Sequence, residues 1–132
     1  DYTLHTSELR AALPKHVKHE DAVFNIQRVA LLVAAVTRAD EAAMEEALHD
    51  RLHEQYREKF VPELKKLRRD LVNEPILGCV LSGAGSSVVV FVHEKRKKQV
   101  RERIDHYLEK ESKLYQVLDL KVASEGMQEL EI

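Results

Sequence analysis

The sequence predicts an α+β domain in which helices pack on an antiparallel sheet. Three observations carry that prediction. Helical periodicity runs through most of the chain before Pro75. Beyond it come two short β-branched runs divided by Gly83-Ala84-Gly85. An amphipathic segment and an alternating run follow, so the order is helices and then ββαβ. With 132 residues, the chain suits one domain spanning 1–132 and is too short for two ordinary ones.

Thr6 or Ser7 can cap a first helix running to Leu13, because a hydroxyl ahead of Glu8 can accept a free N–H of the first turn. Pro14 disfavours helical geometry in the residue before it and ends that helix. Tyr2-Thr3-Leu4-His5 ahead of it reads as an extended lead-in. From Glu20 to Arg38 the helical pattern is strongest. Ala22, Ile26, Val29, Ala30 and Val33 make one apolar face, and Phe24, Leu31, Leu32 and Ala35 extend it around the cylinder. A helix apolar nearly all round is expected to be buried. Asp40 caps a third helix, expected to reach about Leu52 with Met44, Leu48 and Leu52 inward. Glu54 to Phe60 reads as a short turn, and Pro62 fits the first position of a helix carrying Leu64, Leu67 and Leu71. Ile76–Leu81 and Ser87–Val92 then form a hairpin. A helix over about Glu94–Ser112 presents Val100, Ile104, Tyr107 and Leu108. Leu118, Leu120 and Val122 alternate with Asp119 and Lys121, as in a half-buried strand.

Composition narrows the function classes. Hydrophobic residues make up 44% and charged residues 33%, which excludes a disordered or low-complexity chain. A net charge of −2 argues against a nucleic-acid binder, which needs positive excess. The longest apolar stretch, Val29 to Val36, falls far below the ~20 residues of a membrane span. The single cysteine, Cys79, forms no internal disulfide and reads as a small core residue, so a cytoplasmic location is expected.

Several clusters could carry chemistry. In Ser82-Gly83-Ala84-Gly85-Ser86-Ser87, glycines let the backbone approach a ligand and N–H groups can nest an anion, while the same residues also suit a tight turn. The stretch lacks the Lys of a phosphate-binding P-loop and precedes a strand rather than a helix. Asp21, Asn25 and Arg28 stack along one side of the long helix and must either be paired or line a cleft. The run from Asp50 to Arg57 reads mostly as solvated charge, as does the basic patch Lys95-Arg96-Lys97-Lys98 with Arg101 and Arg103. His49 and His53 lie four apart without the acidic residue of a zinc protease between them.

The blocks Leu13-Pro14-Lys15, Asp21-Ala-Val-Phe-Asn-Ile-Gln-Arg28, Asp50-Arg-Leu-His-Glu-Gln-Tyr-Arg57, Val61-Pro62 and Leu81-Ser-Gly-Ala-Gly-Ser-Ser87 together resemble the C-terminal half of the homoserine kinases. These belong to the galactokinase, homoserine kinase, mevalonate kinase and phosphomevalonate kinase (GHMP) superfamily. The resemblance runs from about Ser7 to Val122 and implies a ferredoxin-like C-terminal domain. It also implies transfer of a phosphoryl group from ATP, with Mg2+, to the side-chain hydroxyl of L-homoserine in threonine synthesis. By position it implies Arg28 and Arg57 as holders of the substrate carboxylate, Asn25 as a cleft residue, and Gly83, Ala84, Gly85 and Ser86 beside the nucleotide phosphates. Ser86 stands where the superfamily usually has Pro. The superfamily's nucleotide loop, of the type Pro-x-x-x-Gly-Leu-Gly-Ser-Ser-Ala, has no counterpart in this sequence. The resemblance therefore implies a partner N-terminal kinase domain that holds the catalytic and Mg2+-binding residues. It also implies no turnover by this chain alone, and self-association through the uncovered cleft face. The different reading that the residues leave open is another small-molecule kinase of the superfamily, or a free-standing ferredoxin-like binding module.

Overall fold

In a computed structural model of the chain, residues 6–111, 115–123 and 125–126 are described. The expected lead-in at Tyr2–His5 lies outside them. Six helices and one hairpin follow in the predicted order: α1 (Thr6–Ala11), α2 (His19–Arg38), α3 (Glu41–Ala47), α4 (Glu54–Arg57), α5 (Pro62–Asp70), β1 (Ile76–Leu81), β2 (Val88–Val92) and α6 (Lys97–Leu108). The α+β class with helices on an antiparallel sheet is what the structure has.

Local chemistry explains most boundaries. Asp40 Oδ1 accepts from the Ala43 N–H at 3.0 Å and starts α3. That helix stops at Ala47, short of the expected Leu52, and Asp50 starts the next turn by accepting from the His53 and Glu54 N–H groups at 2.8 and 2.9 Å. Pro62 opens α5 where its missing N–H costs nothing. A short 3₁₀ turn, Glu94–Arg96, leads into α6, and His93 Nδ1 accepts from the Lys95 N–H at 3.1 Å.

β1 and β2 pair antiparallel, Cys79 opposite Val90 and Leu81 opposite Val88, with an irregularity between Ile76 and Gly78. A Cβ at Gly78 would lie 2.3 Å from Leu48 Cδ1, so only glycine admits the close approach of Leu48 to the strand. Under the hairpin, Val61, Leu64, Cys79 and Leu81 form the buried core, with Phe60, Leu67, Ile76, Val88 and Val90 packed against it. Leu9 on α1 is also fully buried.

Two expectations are corrected. Leu118, Leu120 and Val122 join no ladder and are 63%, 79% and 93% exposed, so among the described residues the sheet has two strands. Alternation supplies a strand's pattern, but a strand also needs a neighbour to take its N–H and C=O groups. Second, α2 is not buried all round: in it only Ala35 is fully buried. Its half-buried positions are Asp21, Ala22, Phe24, Asn25, Arg28, Leu31 and Leu32, whereas Ile26, Val29, Val33 and Val36 are 69%, 64%, 64% and 63% exposed. The polar stripe faces the domain together with Phe24, Leu31, Leu32 and Ala35, and the apolar face of Ile26, Val29, Val33 and Val36 looks outward. Among the described residues, no helix is long and apolar enough to cross a membrane.

Candidate functional site

The Gly-rich segment forms the tip of the hairpin. Gly83 and Gly85 have φ of +61° and +100°, a region that L side chains rarely adopt. The loop closes through Ser82 N–H to Ser87 C=O at 2.9 Å and Gly85 N–H to Ser82 C=O at 3.2 Å. A Cβ at Gly85 would also lie 3.0 Å from Val61 Cγ2. Ala84 is half-buried and Ser86 exposed. Turn geometry thus accounts for both glycines, and the Gly83 face stays open, with nothing within 4 Å of a Cβ placed there.

Arg57 stands against this loop. The sequence reads it as part of a short turn in a mostly solvated run; in the structure it lies on α4 and is 8% exposed. Its Nε donates to the Leu9 carbonyl at 3.3 Å and its Nη1 to the Gly83 carbonyl at 3.2 Å. One guanidinium therefore ties α1 to the hairpin tip. These two bonds engage two of the five N–H donors a guanidinium carries.

Asn25 and Arg28 belong to a different constellation. Asn25 Nδ2 donates to Asp50 Oδ1 at 2.8 Å, and its Oδ1 accepts from the Arg51 N–H at 2.9 Å, sewing α2 to the segment before α4. Burial alone would raise the Asp50 carboxyl, but N–H donation from His53 and Glu54, the Asn25 amide and the nearby His53 ring together hold it below the ordinary aspartate range. Arg28 pairs with Glu46 of α3 and lies 4.2 Å from the centroid of the Phe24 ring. A groove of about 190 Å³ runs between these elements, with Asn25, Arg28, Leu48, Asp50, His53 and Leu81 among its walls. Arg28 Nε and His53 Nδ1 are buried there without a partner. Arg57 does not line this groove. The structure thus joins Asn25 with Arg28, and Arg57 with Gly83, but does not bring Arg28 and Arg57 to one pocket.

Sequence reasoning missed Glu54, which looked like one more charge in a mixed run. It is 6% exposed, accepts from the Leu81 N–H at 2.8 Å and binds Arg68 at 2.6 Å, while Arg68 Nε donates to the Cys79 carbonyl at 2.7 Å. The available signal was its three-residue spacing from Arg57, which puts both on one helical face. Cys79 is buried as expected, and burial raises its thiol to about 11. The basic patch is dispersed among Asp105, Asp70, Asp119 and Glu102, which pair with Arg101, Arg103, Lys97 and Lys98. Among the described residues no three His, Cys, Asp or Glu side chains gather as cation ligands.

Comparison with known proteins adds the following. Residues 32–110 match a family model described as GHMP kinases C terminal. A homoserine kinase of Gloeobacter violaceus is 44% identical over 102 residues, 77% of this chain and 34% of that protein. One of Solibacter usitatus is 41% identical over 91 residues, 69% of this chain and 30% of that protein. One of Clostridium botulinum is 32% identical over 126 residues, 96% of this chain and 42% of that protein. The chain thus spans between 30% and 42% of the length of these relatives. The crystal structure of homoserine kinase from Cytophaga hutchinsonii superposes with a TM-score of 0.72 at 21% identity, over 81% of this chain and 34% of that one, and so shares the fold.

Proposed function

Because the chain belongs to the GHMP kinases C-terminal family, we propose that it is the substrate-side domain of an ATP-dependent homoserine kinase. The reaction is transfer of the γ-phosphoryl group of ATP to the side-chain hydroxyl of L-homoserine. The observation that carries this reading is the 32% identity to a homoserine kinase over 96% of the chain.

Phosphoryl transfer depends on positioning and on charge stabilisation more than on covalent participation by the protein. In this reading the open Gly83 face of the hairpin tip lies beside the phosphates, with Ala84, Gly85 and Ser86 completing the turn. Arg57 fixes that tip through the Gly83 carbonyl and turns its remaining donors to the homoserine carboxylate, a use suited to a planar fork. Asn25 and Arg28 line the neighbouring groove, and Arg28 reaches a carboxylate only by giving up Glu46. Mg2+ finds no cage among the described residues, so no step is assigned to it in this chain. The N-terminal kinase domain supplies the nucleotide loop, the cation ligands and the catalytic groups. A cytoplasmic location follows from a substrate of amino-acid synthesis, and the isolated chain is expected to self-associate at high concentration.

The test is a coupled assay of ADP release with the full-length kinase and with this chain alone. Homoserine-dependent turnover is expected only from the full-length protein. Arg57→Lys there should raise the KM for homoserine by about one to two orders of magnitude while leaving the KM for ATP near its parent value, since each tenfold corresponds to ~1.4 kcal/mol. Turnover of mevalonate or shikimate in place of homoserine would reassign the substrate, and turnover by the chain alone would overturn the division of parts.

A further inference from the structure

The outward face of α2 has no partner within the domain. Val23, Ile26, Val29, Ala30, Val33 and Val36 are all exposed, and Ile26, Val29, Val33 and Val36 are each more than 60% so. Between Asp21 and Arg38 the helix carries one charged residue, Arg28, and that turns inward to Glu46. The strip from Val23 to Val36 covers about 20 Å of helix at ~1.5 Å per residue. It is continuous and free of charge, and apolar patches of this kind mark interaction sites. Its width separates it from a coiled-coil seam, which is two positions in seven with charged residues alongside. Here Val23 and Ala30 widen the strip, and among the described residues the ion pair Lys18–Glu20 touches only its N-terminal end. A broad uncharged face of β-branched residues has the composition of a domain core cut in half, which is how permanent interfaces are built.

The size of the relatives names the occupant. The chain matches a C-terminal family model and spans 42% or less of the homoserine kinases it resembles, so more than half of each such kinase lies outside the matched part. We propose that the outward face of α2 is the docking surface for the N-terminal kinase domain, seated on Ile26, Val29, Val33 and Val36. This rests on the kinase reading in one respect, that such a domain exists. It changes which surface that domain covers, because the stripe of Asp21, Asn25 and Arg28 on the opposite side is already engaged by Arg51, Asp50 and Glu46. The domain thus presents α2 with its polar contacts spent on its own loop and with the apolar side of Ile26, Val29, Val33 and Val36 uncovered.

The test compares maleimide labelling of Val33→Cys in the dilute isolated chain and in the chain fused behind the N-terminal region of the Gloeobacter violaceus homoserine kinase. Val72→Cys, at a site 73% exposed and away from α2, serves as control. The isolated chain should label at both positions at comparable rates. The fusion should label at Val72→Cys unchanged and at Val33→Cys about a hundredfold more slowly. Equal Val33→Cys rates in the two forms would overturn the proposal. So would protection that appears in the isolated chain only as its concentration rises, since a second copy would then be the occupant. As a second measurement, Val29→Lys with Val33→Lys should leave the melting temperature of the isolated chain unchanged and lower that of the fusion, and the reverse pattern would refute the assignment. Homoserine turnover by the fusion is recorded in parallel. An inactive but protected fusion upholds the docking face and counts against the kinase reading, and an active but unprotected one does the opposite.

Discussion

Replacing Arg57 by leucine tests the joint between the helical half and the hairpin. The guanidinium is 8% exposed and donates to two carbonyls, those of Leu9 and Gly83, from positions 48 and 26 residues away in sequence. A hydrogen bond from a charged donor contributes about 1.5–3 kcal/mol. At 3.3 and 3.2 Å both bonds are long, so the weak end of that range applies to each. Their joint loss should destabilise the chain by ~3 kcal/mol. For a domain of this size 1 kcal/mol corresponds to roughly 4 °C, so the melting temperature should fall by about 12 °C. Arg57→Lys keeps the charge but not the fork, reaches one carbonyl, and should lose about half as much. Lys98→Leu, at a side chain 91% exposed, is the control and should change stability by less than ~0.5 kcal/mol. Thermal and urea unfolding followed by circular dichroism read all three. A leucine variant within ~0.5 kcal/mol of the parent would show that the two carbonyls are equally well served by water, and the argument for Arg57 as a structural tie would be lost.

Gly78→Ala should destabilise by about 1–3 kcal/mol through overpacking, because its Cβ would meet Leu48. Combining it with Leu48→Ala should give a loss smaller than the two single losses together, and strict additivity in the double-mutant cycle would refute the contact. For Asp50 the carboxyl is held below its ordinary value of 3.8 in the folded state, so the folded chain favours the ionised form. Its contribution is therefore complete above that value and is lost as pH falls through the lower folded one. The stability gap between the parent and Asp50→Asn, read by urea melts across the acid range, should be widest near neutrality and close below the ordinary value; a gap that widens with acid would reverse the sign. Cys79, with its thiol raised to about 11 from 9.0, should resist iodoacetamide in the native chain at mildly alkaline pH and react promptly once urea unfolds it. Between those two values folding should weaken as pH rises, because the unfolded thiol ionises first.

The sequence carried the order of elements because each boundary has a local cause. Asp40, Pro62 and the two glycines of the hairpin act within a few residues, and their effects are visible in a window of that length. The end of α3 was less legible, since helical periodicity continues to Leu52 while Asp50 diverts the backbone by accepting the His53 and Glu54 N–H groups. Burial of α2 was misread for a different reason. Hydropathy says which faces avoid water, but which of them finds cover depends on neighbours far along the chain. In this helix the fixed side is that of Asn25 and Arg28, because Asp50 and Glu46 supply their partners. Leu118, Leu120 and Val122 failed as a strand on the same principle, a pattern without an adjacent edge. The glycines and Arg57 were singled out by a family motif, whereas Glu54 was hidden because its two donors, Arg68 and the Leu81 N–H, lie 14 and 27 residues ahead.

The tie through Arg57 also orders events in time. A helix as short as α1, six residues, has almost no stability by itself, since nucleation is costly and propagation too brief to repay it. Leu9 is fully buried, and the guanidinium that holds its carbonyl also holds the hairpin tip. Docking of α1 closes the longer of the two loops joined by Arg57, 48 residues against 26, and is therefore expected late in folding. Contacts absent from the transition state govern escape from the native state rather than entry to it. Weakening Leu9 or its carbonyl partner should then leave the refolding rate almost untouched and hasten unfolding, making this short helix the latch on the lifetime of the fold.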